Sequence, residues 1–383
     1  MGRSAQYYVI PEVLMNLRLL RYAIAPLLIL LSCLKCFADT PASVKLGILA
    51  SVSDEWATSG DNIVKGAKLA AGELNASGGV GGIQVELVVE DSREANSGAH
   101  AVTAYQSMRQ RGIRFFIGPT GTPAGLALAP IIRNDPLVIV LTPSVGVRNF
   151  SDSATNIFNT RGIDEAGSKQ TAAFAISKTW KTAGVLASQQ PWESAQGRAF
   201  KSEFERRGGK IVYYDEPLPA ANDLRTPITK LIEAKPEVVF LSNFNRIALA
   251  SRQLKLLGFK GPILTTPLDA SSIKNAEGAL EGAVFASFIA PTESFAKKFL
   301  QAYKGKPDYG ADAAYDAVMA LGNALRSSKS DDSGDIITEL LKVDINGAAG
   351  EFTFDVNRVA KRPLTQWTVA DSEIVAFEWR DNK

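Results

Sequence analysis

Residues 44–90 read VKLGILASVSDEWATSGDNIVKGAKLAAGELNASGGVGGIQVELVVE, and this stretch decides the fold. The apolar runs Val44–Ala50 and Ile83–Glu90 have the length of buried strands. Between them, apolar residues recur at helical spacing and predict a helix over Gly60–Ala76. Glycine pairs at 78–79 and 81–82 then supply the turn that ends this helix. Because these glycines follow a helix and precede a strand, the order is the reverse of a dinucleotide-binding fingerprint. The stretch therefore predicts a strand–helix–strand unit without that fingerprint.

The same alternation continues on both sides of a loop at Pro143–Ser153. Before the loop we predict helices at Ser97–Arg111 and Thr122–Asn134 and strands at Phe115–Gly118 and Leu137–Thr142. After it we predict helices at Asp164–Thr179, Glu193–Arg207, Leu224–Ala234 and Ile247–Leu257, with strands at Ala183–Ser188, Lys210–Tyr214, Val238–Ser242 and Pro262–Leu264. Two similar units in tandem predict an α/β fold of two doubly wound lobes.

The last third of the chain has a different texture. It predicts helices near Thr292–Tyr303, Asp312–Ser328 and Asp335–Val343, then an antiparallel strand set at Phe352–Phe354, Leu364–Val369 and Glu373–Trp379. We expect these segments to complete both lobes, so that the chain crosses between them more than once. The candidate hinge strands or connecting loops are Pro143–Arg161, Thr266–Pro291 and Asp331–Ala348.

The first 38 residues have the organisation of a secretory signal. Basic residues precede the uncharged, mostly apolar stretch Tyr22–Leu34, and Cys36-Phe37-Ala38 offers small residues at the positions that a signal peptidase reads. This stretch is shorter than the roughly 20 residues of a membrane-spanning helix. We therefore predict a signal peptide over residues 1–38 and a periplasmic location.

Two alternatives stay open in this segment. Met15–Ala38 alone has the basic, apolar and cleavage regions in order, so residues 1–14 are either a longer leader or not part of the protein. Cys33 could also be the lipidated cysteine of a lipoprotein. With cleavage after Ala38, both Cys33 and Cys36 leave with the leader, and the mature chain has neither a disulfide nor a thiol nucleophile.

The charge balance and the residue inventory exclude several classes of function. Lys and Arg number 42 and Asp and Glu 40, which offers no electrostatic footprint for nucleic acid. The single histidine, His100, lies in a predicted helix, so a histidine metal cluster or a Ser-His-Asp triad is hard to build. We find no phosphate-binding loop and no nucleophile elbow. We predict a monomer that is not an enzyme, with no cofactor, no metal and no catalytic residue.

A resemblance to a known family becomes specific at several points along the chain. Gly60–Gly66, Glu73–Asn75, the two glycine pairs and Asp91 resemble the start of type I periplasmic binding proteins of the leucine/isoleucine/valine-binding family. The similarity continues in order at Phe116–Gly118, Phe158, Gly162–Asp164, Gly208–Val212 and Glu351–Asp355. No single piece is diagnostic, but the ordered set runs through nearly the whole mature chain.

The resemblance implies both an architecture and a function. It implies an N-terminal lobe of residues 39–160 with about 288–330, and a C-terminal lobe of residues 161–287 with about 331–383, joined by several hinge crossovers. It further implies the solute-binding protein of an ABC importer, which closes on an amino acid or related small carboxylate and delivers it to membrane permease subunits. The alternatives are a sensor that docks on a receptor, and a binding protein for urea, amides or aromatic acids.

The first candidate ligand contacts follow the strand Phe115–Gly118. Ligands of open α/β sheets bind beyond the carboxyl ends of the strands, where this chain has Thr120, Gly121 and Thr122. Thr122 is placed as a helix N-cap with Pro123 at the first helical position, and free backbone N–H groups there suit a carboxylate. The resembling family holds the ligand carboxylate with this loop, and Gly121 and Thr122 fall on its binding positions. The alternative is that Thr122 only caps its helix.

The next loop bears on recognition of an amino group. Family members hold the ligand's ammonium partly through the loop that here contains Ser144, Val145 and Gly146, and Gly146 stands where a threonine is expected. The acidic residue expected after the strand ending at Leu264 is replaced by Pro267. Asp269, two positions on, either takes over that role or caps the following helix.

Aromatic residues are the candidates for covering the ligand. Trp192 and Phe244 follow strands of the second lobe, where the family brings aromatic side chains over the ligand. Trp56 and Ser59 follow the first strand and complete the ring. The alternatives are packing between the lobes for Trp192 and Phe244, and a partner surface for Trp56. A cleft bordered by these rings favours a ligand with an apolar or aromatic body.

Overall fold

Five parallel strands form the first sheet of the protein. The computed structural model describes residues 1–2, 43–94, 97–288, 290–328 and 330–379. The strands are β1 (Val44–Ala50), β2 (Val85–Asp91), β3 (Phe115–Ile117), β4 (Ile139–Thr142) and β5 (Ile157–Asn159), in the order β2-β1-β3-β4-β5. Adjacent residues of β1 are buried on opposite faces, since Ile48 and Leu49 belong to different hydrophobic cores. Burial on both faces explains why these strands are continuous apolar runs.

Seven strands form the second sheet. They are β6 (Thr182–Leu186), β7 (Lys210–Asp215), β8 (Val238–Leu241), β9 (Ile263–Thr265), β10 (Val284–Phe288), β13 (Leu364–Ala370) and β14 (Glu373–Phe377). Strands β11 (Asp344–Gly347) and β12 (Gly350–Thr353) form a separate hairpin. The order is β14-β13-β10-β9-β8-β6-β7. Strands β6 to β10 are parallel, whereas β13 runs antiparallel to both β10 and β14.

Helices cover both faces of each sheet. They are α1 (Ala57–Ala76), α2 (Ala99–Gln110), α3 (Thr122–Arg133), α4 (Arg148–Ser151), α5 (Glu165–Ser177), α6 (Pro191–Arg206), α7 (Arg225–Glu233), α8 (Ile247–Leu256), α9 (Ala270–Asn275), α10 (Glu293–Tyr303), α11 (Ala311–Ser327) and α12 (Ser333–Leu340). On the first sheet, α1, α10 and α11 bury their apolar sides on one face and α2 and α3 on the other. On the second, α7 to α9 cover one face and α5 and α6 the other. We call each sheet with its helices a lobe, and the predicted α/β fold of two doubly wound lobes is confirmed.

In the described part of the chain, the backbone passes between the lobes three times. The crossovers follow β5 at Asn159, β10 at Phe288 and the bridge residue Ala360. The expected assignment of residues 331–383 to the second lobe is corrected at its start. Apolar side chains of α12 and β12, including Ile336, Leu340 and Phe352, are buried in the core of the first sheet. The chain therefore returns to the second lobe only after Ala360, and the other expected lobe boundaries stay predictions.

The segments expected to be linkers contain regular structure. Pro143–Arg161 holds α4 and β5, Thr266–Pro291 holds α9 and β10, and Asp331–Ala348 holds α12 and β11. Strand β5 was not predicted, because only Ile157 and Phe158 are apolar there and asparagines flank them on both sides. The predicted antiparallel set is also split, because β12 pairs with β11 and only β13 and β14 join the second sheet.

Two expectations concern the ends of the chain and the membrane. Residues 3–38 of the predicted signal peptide, with Met15, Cys33 and Cys36, lie outside the described residues. Within the described residues, no helix combines the length and apolarity that crossing a membrane requires.

Candidate functional site

One cleft of the structure collects residues from both lobes at the carboxyl ends of the strands. It contains about 590 Å³ of space free of protein atoms, counted to its open mouth. Eight of the eleven predicted site residues line it, namely Trp56, Ser59, Thr120, Gly121, Thr122, Ser144, Trp192 and Phe244. Gln190, Glu193, Asn245, Pro267 and Tyr309 also line it. That these residues contact a ligand stays a prediction.

The loop at Thr120 and Gly121 is held from below by a buried carboxyl group. Glu94 is 0% exposed and accepts hydrogen bonds from the backbone N–H groups of Thr120 (3.1 Å) and Gly121 and from the Ser92 hydroxyl. Burial raises the pKa of Glu94 to about 7, against the lowering effect of these hydrogen bonds. The expectation that the backbone N–H groups of this loop are free is therefore corrected for two of them.

Thr122 begins α3 and faces the cleft. The N-cap is Gly121 rather than the expected Thr122, and no described side chain caps the helix. Pro123 has no N–H, so the Thr122 amide is one of few donors at this helix end. Positive polarity at a helix N-terminus and a hydroxyl beside it favour a carboxylate. The Thr122 hydroxyl is not used for capping.

Val145 and Gly146 lie behind the cleft and do not line it. Val145 is 0% exposed, and its carbonyl accepts a 2.9 Å hydrogen bond from the Asn159 amide. A Cβ at position 146 would lie 2.1 Å from the carboxylate of Asp164, whose backbone N–H donates to the Gly146 carbonyl at 2.9 Å. Glycine at position 146 is thus required by the close approach of Asp164.

Asp269 caps a helix and is not among the residues lining the cleft. Its carboxylate accepts a 2.6 Å hydrogen bond from the Ser272 backbone N–H at the start of α9. Pro267, two residues earlier, does line the cleft. The capping alternative for Asp269 therefore has a direct observation behind it, and the strand end that was expected to present an acid presents an apolar ring.

Two tryptophans form the aromatic walls of the cleft, and each also contacts the other lobe. The Trp56 indole N–H of the first lobe donates to the Asn245 side-chain oxygen of the second at 3.0 Å. Trp56 also lies so close over Gly121 that a Cβ there would be 2.0 Å from its ring. Trp192 stands edge-to-face with Phe244, with ring centres 6.3 Å apart, and packs against the core of the first lobe. Cleft lining and packing between the lobes thus coexist in these side chains.

A buried ion pair supports the cleft wall from the first crossover. Arg161 Nε lies 3.2 Å from Asp164 Oδ1, and the Trp192 indole N–H donates to Asp164 Oδ2 at 3.0 Å. The Arg161 guanidinium lies 4.0 Å from the ring centre of Tyr309, whose hydroxyl donates to the Ser144 carbonyl at 3.2 Å. Burial raises the pKa of Asp164, and Arg161 and Trp192 offset part of that rise. This arrangement fixes the Trp192 and Tyr309 rings.

Sequence reasoning missed Gln190, Glu193, Asn245 and Tyr309. Glu193 is 2% exposed and accepts a hydrogen bond from the Ser188 hydroxyl, and the nearby backbone N–H groups of Phe244 and Asn245 have a lowering effect on its pKa. Burial raises its pKa to about 7. As an acid in the first turn of α6 it has the ordinary pattern of a helix start, so the sequence carries no separate signal for it.

Two α/β lobes joined by crossovers, with a polar and aromatic cleft at their strand ends, define a two-lobed ligand-binding protein. The chain belongs to the periplasmic binding protein family, whose model matches residues 43–373. It is 26% identical over 355 residues to Leu/Ile/Val-binding protein homolog 3 of Brucella melitensis, covering 88% of this chain and 94% of that relative.

Solved structures show the same fold. A leucine-binding protein from Thermotoga maritima is 23% identical with a TM-score of 0.79, covering 88% of this chain and 98% of the other. A solute-binding protein of an ABC transporter from R. palustris, in complex with 4-hydroxybenzoate, is 18% identical with a TM-score of 0.79, covering 88% of this chain and 96% of the other. At these identities the likeness concerns the fold.

Proposed function

We propose that this protein is the extracytoplasmic solute-binding component of an ABC importer and that it binds a small carboxylate between its lobes. The observation that carries the proposal is the cleft itself, in which strand-end loops of both sheets converge beside the N-terminus of α3. Membership of the periplasmic binding protein family and the Leu/Ile/Val-binding relative support the transport role.

The ligand carboxylate would lie at Thr122, with its oxygens facing the helix N-terminus. Thr122 and Ser59 offer hydroxyl groups there, whereas the Ser144 hydroxyl already donates to the Thr120 carbonyl, and the described lining contains no lysine or arginine. An anion would therefore be held by dipoles and hydroxyls, as helix N-termini hold carboxylates. The apolar body of the ligand would fill the space beside Trp56 and Trp192.

The end of β9 in the second lobe supports a ligand without an α-ammonium group. Pro267 lines the cleft where an acid was expected, and Asp269 is engaged in capping α9. The resulting preference is for aromatic or alicyclic acids over leucine or valine. The complex of the R. palustris protein with 4-hydroxybenzoate shows that a protein of this fold accommodates an aromatic acid.

Hinge closure is the proposed mechanism. Ligand contacts with both lobes favour the closed form, to which the Trp56–Asn245 hydrogen bond contributes directly. The closed surface then meets the permease subunits. We further propose that the protein is a periplasmic monomer that turns over no substrate and uses no cofactor.

A thermal-shift panel tests the ligand class. Purified protein would be heated with benzoate, cyclohexanecarboxylate, leucine, valine, urea and acetamide, since a ligand at about 100 times its Kd adds roughly 2.7 kcal/mol. We expect stabilisation by the two acids without an amino group, and about tenfold weaker binding in Thr122→Val because a hydrogen bond to a charged group is lost. Thr103→Val, at an exposed position of α2, is the matched control. Stabilisation by leucine or valine alone would reassign the ligand to amino acids, and no response to any compound would contradict transport of these classes and favour a docking role.

A further inference from the structure

Glu193 combines deep burial with a position on the wall of the cleft. It is 2% exposed, yet it lines the cleft from the first turn of α6. Of the described residues that line the cleft, it is the only Asp, Glu, Lys or Arg. A carboxyl group in such a place keeps its charge only where hydrogen-bond donors surround it. The side chain therefore has a defined set of partners.

The partners of Glu193 leave acceptor capacity unused. The Ser188 hydroxyl donates to the carboxyl group, and the backbone N–H groups of Phe244 and Asn245 lie close enough to lower its pKa. A carboxylate has two oxygens with about four lone-pair sites, so at least one site is left for a further donor. Arg246 is the nearby cation, and its guanidinium donates to the carbonyls of Ala221 (3.2 Å) and Asn245 (3.0 Å). The remaining acceptor site is available to a ligand.

The other side-chain acceptors on this side of the cleft are already engaged. The Gln190 side-chain oxygen accepts from the Trp192 backbone N–H at 3.0 Å. The Asn245 side-chain oxygen accepts from the Trp56 indole at 3.0 Å. An ammonium group brings three donors, and beyond Glu193 they would meet only neutral side-chain oxygens that already accept one hydrogen bond each. A hydroxyl group brings one donor, which an open site of Glu193 satisfies, and unpaired buried donors are costly.

We propose that Glu193 is a specificity-determining residue that accepts a hydrogen bond from a hydroxyl group on the ligand, at the end remote from the ligand's carboxylate. This inference rests on the proposed function, because it assumes that a carboxylate lies at Thr122. It narrows the substrate class to hydroxylated carboxylic acids with an apolar or aromatic body. Glu193 thereby supplies a polar contact at the cleft that does not depend on Pro267 or Asp269.

Paired ligands and one conservative substitution test the role of Glu193. Titration calorimetry would compare 4-hydroxybenzoate with benzoate on wild-type protein and on Glu193→Gln. We expect wild-type protein to bind the hydroxylated acid about tenfold or more tightly, as for a hydrogen bond to a charged acceptor. In Glu193→Gln a neutral amide replaces the charged acceptor, and the preference for the hydroxylated acid falls to about threefold or less. Glu205→Gln, at the exposed end of the same helix, should keep the full preference.

A ligand-side comparison keeps the test decisive if Glu193→Gln does not fold. On wild-type protein, 4-fluorobenzoate has nearly the size of 4-hydroxybenzoate but no donor, so it should bind no better than benzoate. Equal binding of the fluoro and hydroxy acids, or an unchanged preference in a folded Glu193→Gln, would overturn the role of Glu193 and leave carboxylate binding intact. Failure of all three acids to bind wild-type protein would contradict the proposed function, and the inference with it.

Discussion

Each lobe places a buried glutamate beside a loop that lines the cleft, and the two glutamates differ in what else they touch. Glu94 accepts from the backbone N–H groups of Thr120 and Gly121, and Glu193 lies near those of Phe244 and Asn245, which lower its pKa. Each also accepts from a serine hydroxyl, and burial raises the pKa of each to about 7. Glu94 lies beneath its loop and is not among the cleft-lining residues, whereas Glu193 is.

The difference is between a carboxyl group that only supports a loop and one that also faces the cleft. A carboxyl group that receives two successive backbone N–H groups fixes the path of a loop, whichever lobe it is in. Glu94 is also linked to the end of β1. Its backbone N–H donates to Ser51 Oγ at 2.8 Å, and the Ser51 N–H donates to Thr120 Oγ1 at 3.0 Å. Glu193 is also a buried glutamate beside a loop, but it lies at the cleft wall. An acceptor site of its carboxyl group is therefore available to a ligand.

The largest expected difference between the two lobes is the loss of stability when each buried carboxyl group is removed. We expect Glu94→Ala to lower the free energy of unfolding by about 3 kcal/mol or more, because two buried backbone N–H groups and a hydroxyl lose their acceptor. Glu193→Ala should cost about 1–2 kcal/mol, since water in the cleft can replace part of the lost bonding. Urea unfolding without ligand measures both. Equal losses would mean that the two glutamates have equivalent structural roles.

The pH dependence of stability should sharpen the comparison. The folded-state pKa of Glu94 is about 7, above the ordinary 4.5, so the folded chain binds a proton more tightly than the unfolded chain. Its contribution is full below about pH 4.5 and is lost as pH rises through about 7, by as much as about 3 kcal/mol. Urea unfolding between pH 5 and pH 8 should show a falling free energy, with a smaller fall in Glu94→Gln. The free energy of unfolding should still fall with pH in this variant, because burial also raises the pKa of Asp316 to about 7. An unchanged slope in the variant would contradict this assignment.

The hydrogen bond between Trp56 and Asn245 joins the segment between β1 and α1, which packs over Gly121, to the loop after β8. A double-mutant cycle of Trp56→Phe and Asn245→Ala should give a coupling of about 1 kcal/mol in ligand binding, the size of a neutral hydrogen bond. Calorimetry on the four proteins measures it. Strictly additive effects would show that the bond does not contribute to the ligand-bound form.

The smallest expected effect concerns Asp269, outside both supported loops. Asp269→Ala should cost about 0.5–1 kcal/mol of stability through loss of the α9 cap, with ligand affinity unchanged within about twofold. Asp332→Ala is the matched control, because Asp332 caps α12 through the Gly334 N–H at 2.8 Å. A tenfold loss of affinity confined to Asp269→Ala would return this residue to the ligand site.

The sequence predicted the lobes and most of the cleft for physical reasons that also explain its failures. Apolar runs such as β1 are visible because both faces are buried, whereas β5 has only two apolar residues, between asparagines, and is not. Strand ends located Thr120–Thr122 and Trp192, because strand direction fixes where loops converge. Glu193 and Tyr309 were missed, because their place in the cleft depends on contacts between distant segments. Gly146 carried a visible departure from the family pattern, but its cause, the carboxylate of Asp164, lies 18 positions away in the sequence and appears only in the structure.

The aromatic walls give the protein a built-in optical reporter. Of its five tryptophans, Trp56 and Trp192 line the cleft, while Trp180, Trp367 and Trp379 pack against the cores of the second lobe. Entry of a ligand replaces water beside the first two indoles and leaves the other three surroundings unchanged. Intrinsic fluorescence therefore follows occupancy of the cleft without an attached dye, against a constant background from the same chain.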